Sequence, residues 1–326
     1  MICGERLGLR PTGFMACVVA VSWLGCSAPI ESLNGSSDGN RDSAEQVSSL
    51  ASRLVDTDHP AAPLDTDDSE PPPDPSGPHP IYYGGPVVSR AEIVAVSWTK
   101  EVTSRALLPR FYSTLTHSGY FRWLREYSTD TQRIHPAEFV GHFVDEDAPT
   151  GDTISDEDIR AELLHFLRSR RCGQTNVNSV FAIHFPPGVT VTRGTRRSCF
   201  NFCGYHSSFL VEGSPVRYTV VPDLTTCAGR CGGLSARDDA FSVASHEVIE
   251  TITDPDVALA DGLQPPVAWY DPNYGEVADI CSFQTDTIGG FVVQEAWSNR
   301  ANACVSGVEQ PNHNDASDDA STSQGS

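Results

Sequence analysis

Lysine is nearly missing from this chain of 326 residues: between Ile81 and Ser306 the one lysine is Lys100. Basic charge is scarce altogether, with 22 Lys and Arg against 43 Asp and Glu and a formal net charge of −21. Nucleic acid is therefore not an expected partner, because phosphate contacts need clustered basic side chains. A glycine-rich phosphate loop with its lysine is missing, and so is the Gly-x-Ser-x-Gly turn that presents a nucleophilic serine. The longest apolar run, Phe14 to Leu24, is too short to span a bilayer. These absences set aside nucleotide-dependent transfer, serine esterase chemistry of that type and a membrane-spanning architecture.

What acidity there is falls unevenly. Residues 27–80 hold eleven Asp and Glu against two Arg, with dense Ser and Pro; residues 307–326 hold four acids and no Lys or Arg. Neither stretch buries enough apolar area to offset the entropy of ordering a chain. They read as a disordered acidic stalk and a disordered acidic tail, leaving 81–306 as a single globular domain. Residues 1–26 read as an export signal, with Arg6 and Arg10 ahead of the apolar run. The run ends in Leu24-Gly25-Cys26-Ser27, which resembles a bacterial lipobox with Cys26 as the lipidated residue, although Trp23 stands where Leu is usual. The expected location is the outer surface or periplasmic face of a bacterial membrane, as a lipoprotein. Cleavage near Ala28 would instead release a secreted protein.

Export permits disulfides. The domain's cysteines are Cys172, Cys199, Cys203, Cys227, Cys231, Cys281 and Cys304, an odd set that leaves at least one thiol over. Cys281 with Cys304 is the preferred bridge. The spacings Cys199-x3-Cys203 and Cys227-x3-Cys231 fit disulfides, favoured in an exported chain, or pairs of zinc ligands.

Apolar patterning predicts strands at 91–98, 137–144, 180–185, 217–221 and 291–296. Helical spacing marks 104–117 and 121–127. A third helix starts with the capping run Ser155-Asp156-Glu157-Asp158 and runs to about Arg170. A fourth is capped by Asp238 or Asp239 and stopped by Asp254-Pro255. The expected class is α/β, a mixed sheet with packed helices, stabilised by disulfides.

The fourth helix holds His246-Glu247-Val248-Ile249-Glu250. His246 and Glu250, at i and i+4, project from one face, with Glu247 one step round. This is the spacing of the zinc-protease helix with Glu250 in place of the second histidine, so a zincin-like active helix is expected. A metal held there would polarise a water, and Glu247 would accept its proton as general base. The same spacing also makes a simple surface ion pair. Glu276 and Asp279, in Gly275-Glu276-Val277-Ala278-Asp279-Ile280-Cys281, are the first choices for a further ligand, and either also suits an exposed acidic turn. Asp256 and His206 are alternatives, His206 because two imidazoles suit zinc better than one. With carboxylates dominating, calcium or manganese also fits. His184, ending an apolar strand, reads as a core or strand-edge histidine.

Several segments resemble a family of secreted bacterial proteins: Tyr82-Tyr83-Gly84-Gly85-Pro86, His184-Phe185-Pro186-Pro187-Gly188-Val189, Cys203-Gly204-Tyr205-His206, Ser245-His246-Glu247 through Thr253-Asp254-Pro255, Gly275-Glu276 through Cys281, and Trp297-Ser298-Asn299 with Cys304. The opening Gly-Gly-Pro and the Ser-His-Glu segment are also remotely similar to the plant phosphate-induced, EXORDIUM-like proteins of the cell wall. The resemblance implies a secreted or wall-associated domain in which the Ser-His-Glu and Gly-Glu segments form one site.

The expectation is an exported metal-dependent hydrolase, a zinc peptidase by motif geometry, acting on a peptide or a cell-wall polymer. The alternative is a non-catalytic surface or wall-binding module, with a structural or calcium-type acidic site and with Trp269, Tyr270 and Tyr274 as a platform for sugar rings.

Overall fold

The computed structural model describes residues 77–169 and 175–307. The expected export segment with Cys26, the stalk up to residue 76, the tail from residue 308 and the leftover Cys172 lie outside the described residues.

Five strands form the central sheet: β1 (Glu92–Ser97), β2 (Glu138–Val144), β3 (Ser179–His184), β4 (Tyr205–Val211) and β5 (Ser214–Val221), in the order β2-β1-β3-β5-β4. The first four of that order run parallel, and β4 closes the edge antiparallel to β5. The turn between β4 and β5 has two residues, Glu212 and Gly213, both at positive φ (51° and 81°), the geometry whose twist suits a tight hairpin.

Side chains alternate across β1, and both faces are covered, as parallel strands require. Ile93 and Ala95 face α1 (Leu108–Ser118) and α3 (Ala236–Thr253), meeting Phe111, Leu115, Phe241 and Val248. Val94 and Val96 face α2 (Asp156–Arg168), meeting Ile159, Leu163 and Phe166. The result is the expected α/β class: a mixed sheet between helical layers.

α2 begins as its sequence predicts, with Ser155 Oγ accepting from the Asp158 amide at 3.2 Å and the Asp158 carboxylate accepting from the Ser155 amide at 3.0 Å. α3 corrects the sequence reading. Its cap is Ser235, whose hydroxyl accepts from the Asp238 amide, while Asp239 turns back to accept from the Leu234 amide at 3.2 Å. The helix predicted at 121–127 is a 3-10 turn at Trp123–Tyr127. The strand predicted at 291–296 divides in two. β7 (Phe291–Gln294) pairs with β6 (Thr285–Ile288), and β8 (Ala296–Ser298) pairs with β9 (Ala303–Val305). Phe291 of the β6–β7 hairpin packs on Phe241 of α3 at 5.1 Å between ring centroids. α3 is thus covered by the sheet and by the hairpin, which is why nearly every residue from Phe241 to Thr253 is buried, polar ones included.

Three disulfides join Cys199 to Cys227, Cys203 to Cys231 and Cys281 to Cys304. The first two overturn the zinc-pair reading, since the sulfurs are spent on each other across a separation of 28 residues. Each closed loop contributes about 3 kcal/mol on chain-entropy grounds, less for the second of two adjacent links. Such cross-links point to an oxidising surrounding. Among the described residues, no helix is long and apolar enough to cross a membrane.

Candidate metal centre

The centre is built on α3. His246 and Glu250 meet one turn apart, with Nε2 3.0 Å from Oε1. This is no surface pair: Glu247 and Glu250 are only 4% and 3% exposed. β4 brings in His206, whose Nδ1 lies 3.4 Å from Glu250 Oε2 and 3.7 Å from Glu247 Oε2. The segment before Cys281 supplies two more carboxylates. Glu276 Oε1 is 3.5 Å from His206 Nε2, and Asp279 Oδ1 is 3.6 Å from His246 Nε2. Glu250 therefore stands between two imidazoles, one at each of its oxygens. Glu276 is buried rather than on an exposed turn, while Asp279 lies half-exposed at the rim.

The chain's small residues and turns explain this convergence. A Cβ on Gly204 would fall 2.4 Å from Val243 Cγ1 and 2.8 Å from Glu247 Oε1, so glycine is what lets the start of β4 lie against α3. Asp254 ends α3 ahead of Pro255, and its carbonyl accepts the His206 Nε2–H at 3.1 Å. That contact fixes the ring and turns Nδ1 towards Glu250 and Glu247. Burial favours the uncharged ring, but the charge of Glu276 and the hydrogen bonds to Glu247 and Glu250 outweigh it and raise the His206 pKa well above its ordinary value. Asp254 Oδ1 meanwhile accepts from the Ala268 amide at 2.8 Å. The Asp279 amide donates to Glu250 Oε1 at 3.2 Å, fastening the Gly275–Cys281 segment to the helix.

Gln294, at the end of β7, donates from Nε2 to the Ala278 carbonyl at 2.9 Å and to His246 Nδ1 at 2.7 Å. The carbonyl fixes which way the amide points, so His246 keeps its proton on Nε2. Burial favours the uncharged ring, but the charge and hydrogen bond of Glu250 outweigh it and push the His246 pKa up to about 10. The amide donating into Nδ1 opposes a second ring proton and so works against that rise.

Burial also acts on the carboxylates. It raises Glu247 above the usual range against the hydrogen bond from His206, and it raises Glu276 well above that range against the charge of His206. Asp254 is pushed up to about 7 by burial, against its bond from Ala268. Glu250 resists burial: the charge of His246 and hydrogen bonds from both histidines hold it down at about 2. At the centre, two buried carboxylate oxygens lack any hydrogen bond, Glu276 Oε1 and Asp254 Oδ2. His206 Nε2 is near the first, but its proton goes to the Asp254 carbonyl. Orphaned buried oxygens of this kind are costly unless a cation or a proton meets them.

Two ligand clusters fit within 4.8 Å, namely His206 with Glu250 and Glu276, and His246 with Glu247 and Glu250. Above them lie two hollows. One of about 250 Å³ is lined by His206, Val257, Leu263, Val267, Tyr270 and Glu276. The other, of about 430 Å³, is lined by Arg196, Phe202, Leu234, Tyr274 and Phe283. Both share Arg193, Tyr205, His246, Glu247 and Asp279, so Glu247 stands where they meet.

Other candidates fall away. Asp256 is engaged by Arg217, with Nε to Oδ1 at 3.0 Å and Nη2 to Oδ2 at 2.8 Å, and both are buried. His184 is the core residue expected, bonded to Tyr112 Oη at 2.8 Å. Trp269, Tyr270 and Tyr274 line three different hollows rather than one platform. Trp269 packs on Tyr82 and Tyr127 and gives its Nε1–H to the Tyr127 carbonyl at 2.6 Å. Asp254 and Gln294 were not singled out by the sequence; the Thr-Asp-Pro stop was the available signal for the first, and Gln294 had none.

The chain matches no protein-family model, and the comparisons with curated proteins and with solved structures give no match. The chemistry of the centre must therefore carry the functional argument.

Proposed function

We propose that this protein is an exported metal-dependent hydrolase, with Cys26 as its lipid anchor and a peptide bond as its target. The observation that carries the reading is the pair of orphaned carboxylate oxygens, Glu276 Oε1 and Asp254 Oδ2, buried beside two histidines. A divalent cation would be held by Glu250 with His246 or His206, and by Glu276 or Asp279. α3 then plays the part of a zincin-like helix in which Glu250 stands in for the second imidazole. Zinc suits the imidazoles, and manganese or calcium the oxygens. Such a cation, when bound, lowers the pKa of water and polarises a carbonyl.

The chain's own contribution centres on Glu247. Its carboxyl, raised by burial, is a better proton acceptor than an ordinary carboxylate, and it lies at the junction of the two hollows. A polymer lying through both hollows would pass its scissile bond over that junction. Ligation by His246 Nε2 requires its proton to move to Nδ1 and the Gln294 amide to turn over.

The carboxylate-rich donor set also suits a calcium-holding surface module that binds wall polymer without cleaving it. Metal analysis of the full chain beside His246→Ala and Glu250→Ala tests the first step. Zinc or manganese retained by the parent and diminished in both variants supports the reading. No retained metal in a folded parent sinks it. Cleavage of a peptide library, abolished in Glu247→Gln with metal content unchanged, then separates hydrolase from binding module.

A further inference from the structure

We propose that the centre holds two divalent cations bridged by Glu250, an inference that rests on the metal-dependent reading above. The sequence leaves Glu276 and Asp279 as rivals for a single remaining place. The structure puts them on opposite sides of Glu250. Glu250 Oε1 faces His246 Nε2 at 3.0 Å, and Asp279 Oδ1 lies 3.6 Å from that same nitrogen. Glu250 Oε2 faces His206 Nδ1 at 3.4 Å, and Glu276 approaches His206 from its other edge. The His206 half thus has Glu276 and an oxygen of Glu250, and the His246 half has Glu247 and the other oxygen, with Asp279 at its edge. The two imidazoles do not fall together in either of the clusters whose ligand atoms lie within 4.8 Å, yet both clusters contain Glu250. One ion held by both rings would need a ligand set that neither cluster supplies.

Charge points the same way. Glu247, Glu250, Asp254 and Glu276 are buried and Asp279 sits at their rim, with no lysine or arginine paired to any of them in the described residues. Cation binding would need these carboxyls ionised, and two divalent cations come closer than one to balancing them in a medium of low dielectric. A carboxylate whose two oxygens address different ions fits the spacing of about 3.5–4 Å found in two-metal sites. The unpartnered oxygens of Glu276 and Asp254 both belong to the His206 half, the half that a single ion on the α3 motif would leave unserved. The hydrolysed group would then be one that two cations can clamp, a peptide carbonyl with an adjacent amine or carboxylate.

The test is a titration of the metal-free full chain with Mn²⁺, followed by electron paramagnetic resonance and by equilibrium dialysis. Two equivalents should bind, and the second should replace the six-line signal of an isolated ion with the broadened spectrum of an exchange-coupled pair. Asp279→Asn and Glu276→Gln, conservative changes at opposite ends, should each weaken one equivalent at least tenfold and abolish the coupling. Saturation at one equivalent, or two equivalents without coupling, overturns the bridged pair while leaving the hydrolase reading in place. No binding by a folded parent, judged by near-ultraviolet circular dichroism, overturns both.

Discussion

Replacing Gly204 by alanine adds one methyl group at the closest approach of β4 and α3, and the structure says what that methyl meets. It would lie 2.4 Å from Val243 Cγ1, 2.8 Å from Glu247 Oε1 and 3.0 Å from the Val220 carbonyl oxygen. Carbon atoms settle near 3.5–4.0 Å, so Val243 must retreat by more than an ångström or the strand must lift. Overpacking of this kind costs about 1–3 kcal/mol. For a domain of this size, that lowers Tm by roughly 2–4 °C per kcal/mol. Because the lifted strand carries His206 two residues on, cation affinity should fall by about tenfold or more, as with other losses of ligand orientation. The assay is urea denaturation with the disulfides intact, run on Gly204→Ala, Val243→Ala and the double variant. Val243→Ala alone leaves a cavity and destabilises, but in the Gly204→Ala background it removes the sharpest clash. The double variant should therefore be more stable than the sum of the singles predicts, by about 1 kcal/mol or more. Additive behaviour would refute the account, because it would mean that the methyl and Val243 do not meet.

Asp254, held at about 7 against an ordinary 3.8, keeps its proton in the folded chain over a range where the unfolded chain has lost it. Its contribution to the stability of the metal-free protein should therefore decline as pH rises from about 4 to 7. Asp254→Asn should flatten that part of a pH series of urea midpoints, and an unchanged slope would contradict the assignment. Breaking the buried Arg217–Asp256 pair by Asp256→Ala should cost about 3–5 kcal/mol, measured by urea denaturation, without changing the number of cations bound. Loss of an equivalent would return Asp256 to the centre. Removing the Cys281–Cys304 link by a double serine substitution should cost about 3 kcal/mol and weaken cation binding, since the bridge anchors the segment bearing Glu276 and Asp279. Full cation affinity by calorimetry in that variant would show that the segment is held by other means.

The helix at the heart of the centre was legible because its signals are local: an i, i+4 pair, a glutamate between, and a proline to stop it. His206 was harder to place because its strand does not look like one. β4 buries Ser207 and Ser208, whose hydroxyls find no partner, and Thr219 beside them on β5 is in the same state. Polar residues in a buried strand erase the apolar pattern on which a reading depends. The choice between Glu276 and Asp279 was open because the two are three residues apart, and only the 3-10 turn Asp279–Cys281 decides which way each points. The cysteine pairs were ambiguous for a different reason. A spacing of three serves a bridge or a metal equally well, and the partner across 28 residues is a property of the fold. Ser235 displaced the aspartates as cap because its hydroxyl lies three residues ahead of a free amide, a relation that Asp238 and Asp239 obscure by being attractive caps themselves.

The bridges bear on when this protein can work as well as on how firmly it is folded. Cys203 precedes His206 by three residues and Cys281 follows Asp279 by two, so each clamp sits beside a side chain of the candidate centre that it helps to place. A newly made chain with free thiols would own every donor atom without the arrangement that brings them together. Oxidation would come first and the cation second, and the hydrolase proposed above would stay silent in the compartment of its synthesis.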